Sequence, residues 1–362
     1  MKNLYCVIMA GGVGSRFWPM SKTSKPKQFL DVLGTGHTLL QSTCNRFLQV
    51  CKPEHIFVVT SEQYKDLVFE QLPYIPQENI LLEPSRRNTA PCVAYASYKI
   101  HKLNPDAVTV VAPSDHLIAK EDVFLKAVKS CYIKAKNEDC LLTIGIKPTR
   151  PDTGYGYIQF VDSTEVEKDK RIKRVKTFTE KPDPEMAKFF MDSGDFLWNS
   201  GIFIWSTKSI ITALEKHESE LAGIFKEGID QYNTPAENDF IQQAYILCKN
   251  ISVDYAVMEK AKNVYVRASI IGWSDLGTWG SLYEHIRQDN QHNATVGKNV
   301  MLYGAKNCIV HVPKDKLVLI QGLEDYIVVE SEGVLLICKK EDEQQIRNFV
   351  NDVRVKKGER FV

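Results

Sequence analysis

The chain has 362 residues, with 46 Lys and Arg against 45 Asp and Glu. This balance excludes a global electrostatic attraction to nucleic acid or to an anionic membrane, so any anion-binding site must be local. The nine cysteines form no CxxC pair and no metal-ligand spacing, which favours free thiols in a reducing cytosol over a disulfide framework. No apolar run approaches the ~20 residues that span a bilayer, and no signal-peptide pattern precedes the first strand. We therefore expect a cytoplasmic protein.

Strand and helix patterns alternate over the first part of the chain. Apolar runs and helical periodicity predict, in order, a strand at Leu4–Ala10, a helix at Thr38–Gln49, a strand at His55–Thr60, a helix at Glu62–Gln71, a strand at Asn79–Leu82, a helix at Ala90–Lys102 and a strand at Ala107–Ala112. This rhythm is typical of a Rossmann-like α/β domain with a mostly parallel mixed sheet. Ligands of such domains bind at the carboxyl ends of the strands.

The pattern changes after Gly145. Short strands are predicted at Tyr157–Phe160, Val175–Phe178 and Gly201–Trp205, and helices at Lys208–Leu214, Leu221–Gln231, Asp239–Leu247 and Leu276–Asp289. Five short strands then follow at Val296–Tyr303, Cys308–Val312, Leu317–Gln321, Tyr326–Glu330 and Val334–Cys338, with a last helix at Glu341–Val350. We expect a first domain over residues 1–290 and a small all-β domain over residues 291–362.

A glycine turn follows the first strand directly. Gly11, Gly12 and Gly14 allow a tight turn whose bare N–H groups can approach phosphate oxygens. Arg16, Lys25 and Lys27 add three cations nearby. A strand, a glycine turn and three cations together predict a polyphosphate site, most naturally for a nucleoside triphosphate.

Two familiar glycine motifs do not match this turn. A P-loop needs Gly-Lys-Ser/Thr at its end, whereas this turn ends Gly14-Ser15-Arg16. The dinucleotide fingerprint needs a third glycine where Phe17 stands, and an acidic residue closing the second strand, which here ends Thr60-Ser61. An oxidoreductase is therefore disfavoured.

The segments GGxGxRxWPxS (residues 11–21) and KPKQFL (residues 25–30) resemble the signature of the mannose-1-phosphate guanylyltransferases, within the sugar-nucleotide pyrophosphorylases. The resemblance extends from residue 4 to the end. It implies that GTP and mannose 1-phosphate give GDP-mannose and pyrophosphate by direct in-line attack, with Mg²⁺ as cofactor and no nucleophilic side chain. It also implies a left-handed β-helix-like C-terminal module used in dimer contacts, hence a homodimer.

The resemblance assigns the nucleotide and metal residues. Asp115 follows an apolar strand and Asp275 lies in WSDLGTW, and these two carboxylates are expected to bind Mg²⁺, whereas taken alone each could simply cap a turn or helix. Asn88 or Thr89 could likewise cap the helix that follows, in a segment that the resemblance places against the guanine. The expected nucleotide-binding residues are Gly11, Gly12, Gly14, Ser15, Arg16, Lys27, Glu83, Asn88, Thr89, Ala90, Ser114 and Asp115, of which Arg16, Lys27 and Asp115 are also expected to be catalytic.

The sugar phosphate is assigned to three turns and one further segment. Glycine backbone for close approach, a carboxylate and an amide for hydroxyl groups, and a lysine for phosphate are the groups that such a ligand needs. The expected residues are Gly156, Glu180, Lys181, Asn199 and Asp254.

Two alternatives to this function remain open at this stage. The same chemistry could use glucose 1-phosphate with UTP or dTTP. A non-catalytic nucleotide-sugar sensor with the same fold would be expected to lack Lys27, Asp115 or Asp275, all of which are present.

We also expect the small β domain to serve assembly, so that its removal spares the catalytic residues. Lys27, in a polar stretch, is expected to reach into the cleft and to matter for rate more than for folding.

Overall fold

The computed structural model describes residues 1–12, 14–161 and 169–362. By compactness the chain divides into two units. Unit 1 comprises Met1–Gly11, Thr43–Ser114 and Ile118–Trp273, and unit 2 comprises Gly12–Ser42, Asp115–Leu117 and Ser274–Val362. The glycine-turn segment thus belongs to the same compact unit as the C-terminal strands. The two compact units do not divide at residue 290, because residues 12–42 and 115–117 group with the C-terminal strands. The domain boundary near residue 290 stays a prediction.

The strands are, in chain order, β1 (Leu4–Met9), β2 (Ile56–Ser61), β3 (Ile80–Glu83), β4 (Val108–Pro113), β5 (Leu117–Ile118), β6 (Leu141–Ile146), β7 (Gly156–Val161), β8 (Ile172–Glu180), β9 (Phe196–Ser206), β10 (Val264–Ala268), β11 (Trp273–Ser274), β12 (Ala294–Val296), β13 (Asn299–Tyr303), β14 (Ile309–His311), β15 (Leu317–Gln321), β16 (Tyr326–Ser331) and β17 (Val334–Lys339).

The α-helices are α1 (Leu39–Leu48), α2 (Lys65–Gln71), α3 (Thr89–Leu103), α4 (Glu121–Asn137), α5 (Pro184–Ser193), α6 (Thr207–His217), α7 (Ser219–Glu227), α8 (Glu237–Leu247), α9 (Trp279–Tyr283) and α10 (Ile346–Lys357). None of these described helices combines the length and the apolar character that crossing a membrane requires.

Unit 1 is built on one mixed sheet with strand order β3-β2-β1-β4-β9-β6-β10-β8-β7. Strands β3, β2, β1 and β4 run parallel, and β9 joins antiparallel to both β4 and β6. The parallel strands β1, β2 and β4 are almost continuously apolar and buried, as is typical of strands that are covered on both faces. The α/β mixed-sheet fold that the alternating pattern predicts is therefore confirmed.

Unit 2 contains the C-terminal strands and the glycine-turn segment. Strands β12, β14 and β16 pair in parallel, as do β13 and β15, so successive short strands stack on one another. One apolar core joins Phe17 and Trp18 of the glycine-turn segment to Trp279 of α9 and to Ile346 and Val350 of α10. The glycine-turn segment consequently depends on the C-terminal elements for burial of its aromatic side chains.

Some elements differ from the prediction. The helix expected at Leu276–Asp289 is short, because Leu276 has a positive φ of 45° and α9 begins only after Thr278. The single strand expected at Val296–Tyr303 is two strands, broken at Gly297 with φ 148°. The prediction also leaves out the long helix α4 and the buried strands β6 and β10.

Candidate active site

In unit 2, Lys27 packs against the glycine turn at Gly14. Gly14 adopts a left-handed conformation with φ 57°, and a Cβ on it would lie 2.7 Å from the Cβ of Lys27. The Gln28 side-chain amide donates a hydrogen bond of 2.8 Å to the carbonyl oxygen of Gly12. The KPKQ motif therefore packs against Gly12 and Gly14, and its contact with Gly14 leaves no room for a side chain there.

The side chain of Lys27 is buried, whereas the polar stretch around it predicts a side chain that reaches into the cleft rather than the core. Its Nζ lies 2.9 Å from the Asp115 carboxylate and donates hydrogen bonds of 2.9 Å to the carbonyl oxygens of Asp275 and Leu276. A buried ammonium needs such oxygen partners. Through this one group, Lys27 connects three segments that are distant in the sequence.

Lys27 contacts Asp115 through its carboxylate and Asp275 through its backbone carbonyl oxygen. Burial alone would raise the pKa of Asp115, but the nearby charges of Lys27 and His116 outweigh it and hold that pKa below its usual value. The Asp275 carboxylate accepts a hydrogen bond of 2.9 Å from the Gly277 backbone N–H.

The alternative in which Asp275 is merely a helix cap is wrong. The N-cap of α9 is Thr278, which forms a capping box with Ser281. Asp275 lies upstream of that box, where it shapes the turn that leads into the helix.

The donor chemistry at this position suits a hard cation. Mg²⁺ is commonly bound by one or two carboxylates, with waters and substrate phosphates as its other ligands. Asp115 and Asp275 supply that number of carboxylates. Over the residues that the structure describes, no group of three or more His, Cys, Asp or Glu side chains could hold a metal by itself. A metal at this place would therefore need the substrate as a further source of ligands.

Ser15, Arg16 and Phe17 form a short 3-10 turn after Gly14. The Phe17 ring is buried against Trp279, with ring centroids 5.0 Å apart. The Arg16 side chain is half-buried, and its Nε is buried without a hydrogen-bond partner. A guanidinium with an unsatisfied buried donor is suited to binding an anion.

Glu83 in unit 1 is a buried carboxylate at the end of β3. Tyr245 donates a hydrogen bond of 2.9 Å to its Oε1, and a Cβ on Gly11 would lie 3.2 Å from its Oε2. Burial raises the pKa of Glu83 to about 7, against the opposing effects of Tyr245 and Arg86. The sequence does not point to Tyr245, because its relation to Glu83 arises only from the packing of α8.

The segment from Asn88 to Ala90 is held at the start of α3. Asn88 is the N-cap, and its side chain accepts a hydrogen bond from the Thr89 backbone N–H. The Thr89 hydroxyl accepts one from Val253, and the Ala90 N–H donates one to Ile251. The capping role predicted for Asn88 is therefore confirmed, and it does not conflict with a role in nucleotide binding.

Ser114, the last expected nucleotide residue of unit 1, is buried just after β4. Its carbonyl oxygen accepts a hydrogen bond of 3.2 Å from the Thr43 hydroxyl, and its N–H donates one to Met9. These bonds fix the backbone that leads from β4 to Asp115.

The expected sugar residues lie together in unit 1. The Asn199 amide donates a hydrogen bond of 2.9 Å to Asp254, and the Lys181 ammonium pairs with Glu180 at 2.8 Å. A Cβ on Gly156 would lie 2.3 Å from a Glu180 carboxylate oxygen, so this position requires glycine. Burial, followed by the charge of Glu180, raises the pKa of Asp254 to about 7.

The orientation of Asn199 is set by residues on two sides. Its Oδ1 accepts hydrogen bonds from the Thr143 hydroxyl at 3.0 Å and from the Gly201 N–H at 3.2 Å, while its Nδ2 faces Asp254. Thr143 lies on the buried strand β6, which the prediction leaves out. Its relation to Asn199 follows only from the pairing of β6 with β9.

The expected site residues therefore fall into separate groups. Both metal candidates belong to unit 2 and all five sugar residues to unit 1. The expected nucleotide residues divide between unit 1 (Gly11, Glu83, Asn88, Thr89, Ala90 and Ser114) and unit 2 (Gly12, Gly14, Ser15, Arg16, Lys27 and Asp115).

Comparison with protein families gives two matches along the chain. Residues 5–292 match the nucleotidyl transferase family, and residues 297–353 match the mannose-phosphate isomerase/GMP-like β-helix domain. The parallel stacking of the C-terminal strands agrees with the second match.

Individual proteins give the same result. The chain is 36% identical to a mannose-1-phosphate guanylyltransferase of Escherichia coli K12, covering 97% of this chain and 74% of that protein. It is 35% identical to the alginate biosynthesis protein AlgA of Pseudomonas putida, covering 95% of this chain and 70% of the other. A crystal structure described as mannose-1-phosphate geranyltransferase from Thermus thermophilus matches with a TM-score of 0.86 at 27% identity, covering 97% of this chain and 99% of that one.

Proposed function

The chain belongs to the nucleotidyl transferase family, and on this basis we propose that it transfers GMP from GTP to α-D-mannose 1-phosphate, giving GDP-mannose and pyrophosphate. The observation that carries the proposal for the site is the set of contacts of Lys27, whose ammonium joins the Asp115 carboxylate to the Asp275–Leu276 backbone. Such a cluster supports charge stabilisation on a polyphosphate rather than nucleophilic catalysis by a side chain.

The reaction is a direct in-line displacement. An oxygen of the sugar phosphate attacks the α-phosphorus of GTP, a P–O bond forms, and the bond from the α-phosphorus to the bridging oxygen breaks with release of pyrophosphate. The protein supplies mainly positioning and charge. Gly11, Gly12 and Gly14 offer backbone N–H groups to the phosphates, and Arg16 balances the charge that develops on the pyrophosphate.

Nucleotidyl transferases of this family generally use a divalent metal. We assign Mg²⁺ to Asp115 and Asp275, where it would neutralise phosphate charge when bound. Lys27 keeps Asp115 ionised and oriented, so the carboxylate is ready for a cation at neutral pH.

Mannose 1-phosphate is assigned to the group in unit 1. Glu180, Asn199 and Asp254 present carboxylate and amide groups to sugar hydroxyls, Gly156 leaves space, and Lys181 pairs with the phosphate. Glu83, Asn88, Thr89, Ala90 and Ser114 are assigned to the nucleoside. Because all nine cysteines are free and buried, we place the enzyme in the cytoplasm.

The protein is proposed to form a homodimer through its C-terminal strands. Large apolar side chains are exposed on these strands, namely Met301 and Tyr303 on β13, Leu317 and Leu319 on β15, and Leu335 and Ile337 on β17. Exposed apolar patches of this kind mark association surfaces. Light scattering should give twice the mass of one chain. A single-chain mass that persists at the highest accessible concentration would contradict the dimer.

The function is tested by a pyrophosphate-release assay over a matrix of nucleoside triphosphates and hexose 1-phosphates. GTP with mannose 1-phosphate should be the best pair. Turnover confined to UTP or dTTP with glucose 1-phosphate would replace the guanylyl assignment, and binding of GDP-mannose without turnover of any pair would establish a sensor.

A further inference from the structure

The C-terminal helix α10 packs against the turn that carries Arg16. Ile346 and Val350 of this helix are buried in the same core as Phe17 and Trp18. The chain end adds to this contact, because the Trp18 indole donates a hydrogen bond of 2.7 Å to the carbonyl oxygen of Phe361. The first turn of α10 is therefore fixed beside the glycine-turn segment within unit 2.

Arg347, next to Ile346 on this first turn, brings a second guanidinium close to Arg16. The Arg347 side chain is exposed, and some loss of hydration together with the positive charge of Arg16 lowers its pKa. In the part of the chain that the structure describes, neither arginine forms an ion pair, and the Arg16 Nε is buried without a hydrogen-bond partner. Arg46, by contrast, pairs with Glu121, and Arg267 pairs with Asp169.

Two guanidinium groups that repel one another can share an anion that binds to both, and the anion removes that repulsion. The anion that the glycine turn would present is a phosphate group, and guanidinium groups bind phosphate through paired N–H donors. Pyrophosphate is the strongest match, because it concentrates several negative charges over two phosphorus atoms. A sugar phosphate has fewer charges, and its expected residues belong to unit 1.

We propose that Arg347, together with Arg16, binds the β- and γ-phosphates of the nucleoside triphosphate and hence the released pyrophosphate. This inference rests on the proposed function, and it gives the C-terminal helix a part in substrate binding. Arg347 would contact the leaving group, where it lowers the cost of the negative charge that develops as the α–β bridging bond breaks.

The test uses the reverse reaction of the full-length protein, in which GDP-mannose and pyrophosphate give GTP and mannose 1-phosphate. Arg347→Gln should raise the KM for pyrophosphate about tenfold, the size expected for one charged hydrogen bond. The KM for GDP-mannose should stay within about twofold of the wild-type value, because the removed charge contacts only the other substrate. Arg347→Lys should restore part of the loss.

Arg354→Gln is the matched control. Arg354 lies two turns further along the same helix and pairs with Glu359, so its removal changes the charge of α10 without removing an anion ligand. It should leave both KM values unchanged. A KM for pyrophosphate that is the same in the Arg347→Gln, Arg354→Gln and wild-type proteins would overturn the proposal. Equal effects of Arg347→Gln on both KM values and on the melting temperature would also overturn it, since they indicate a structural role. If the wild-type protein does not catalyse the reaction at all, the proposed function fails instead.

Discussion

At the scale of single residues, Lys27 combines a structural and a chemical role. Its ammonium is buried, yet it has a carboxylate and two carbonyl oxygens as partners. The polar residues around Lys27 in the sequence suggest exposure. The burial comes instead from Asp115 and the 275–276 turn, which are too distant in the chain for a local pattern to reveal.

Lys27→Met should therefore lower both stability and rate. The substitution leaves the Asp115 carboxylate without its counter-charge and two carbonyl groups without a donor. The free energy of unfolding should fall by roughly 3–5 kcal/mol, and kcat by at least about a hundredfold. Urea unfolding and initial rates measure the two effects. Lys25→Met is the control, because Lys25 is exposed in the same motif. If the Lys27→Met and Lys25→Met proteins had the same free energy of unfolding, the buried contacts of Lys27 would not contribute to stability.

Asp254 gives a prediction about pH. The pKa of Asp254 is about 7 in the folded protein against 3.8 for an ordinary Asp. Between these two pH values the carboxyl group keeps its proton in the folded chain and loses it in the unfolded chain. Stability attributable to Asp254 must then fall as the pH rises through this window. Asp254→Asn, which can still accept the hydrogen bond from Asn199, should be more stable than the wild type by roughly 1–3 kcal/mol at pH 8 and equal to it near pH 4.

Urea unfolding across this pH range measures the difference. Asp239→Asn, a change at an exposed Asp on α8 of the same unit, serves as the control and should show no such trend. A stability difference between Asp254→Asn and the wild type that does not change with pH would show that the carboxyl group is not perturbed.

At the scale of elements, the C-terminal helix has a larger role than the sequence suggests. The sequence predicts that the residues after 290 serve assembly only. In unit 2, however, α10 shares a core with Phe17 and Trp18 of the glycine-turn segment. Removing the C-terminal part would uncover those aromatic side chains, so a fragment ending at residue 290 should not keep an intact glycine turn.

Val350→Asp tests this dependence in the full-length chain. Val350 is buried in the shared core, and a carboxylate there should lower the free energy of unfolding by at least roughly 3 kcal/mol. GTP binding, measured by calorimetry, should weaken with it. Val355→Asp is the matched control, because Val355 lies on the same helix with 84% of its surface exposed. If the Val350→Asp protein is destabilised but binds GTP with wild-type affinity, the packing of α10 does not affect nucleotide binding.

Local sequence signals predict some elements well and others poorly. The alternation of apolar strands with amphipathic helices was sufficient for the parallel half of the sheet, because each pattern is contained in a short window. The helix α9 is shorter than expected because Leu276 has a positive φ and Thr278 sets a later start. Strand β10 pairs with β6, more than a hundred residues away, so its role depends on a contact that no local window contains.

At the scale of the whole molecule, the motifs identify the chemistry but not how the residues are grouped. The glycine turn, KPKQ, Asp115 and WSDLGTW were recognisable from the sequence. Their convergence on Lys27, the perturbed pKa values of Glu83 and Asp254, and the partners Tyr245 and Thr143 arise from burial and long-range packing. These contacts and pKa values could not be predicted, because the residues that bury each group are distant in the sequence and no local pattern indicates them.

Asp115 and Asp275 are proposed to act together on one Mg²⁺ during nucleotidyl transfer. This proposal is tested most directly by the initial rate with GTP and mannose 1-phosphate against Mg²⁺ concentration, for Asp115→Asn, Asp275→Asn and the double variant. Asp315→Asn, at an exposed turn of unit 2, controls for the lost charge. Each single variant should lose most of the turnover, and the double variant should be little worse, because residues that act as a unit are not additive. Wild-type turnover and Mg²⁺ dependence in Asp275→Asn would contradict the account.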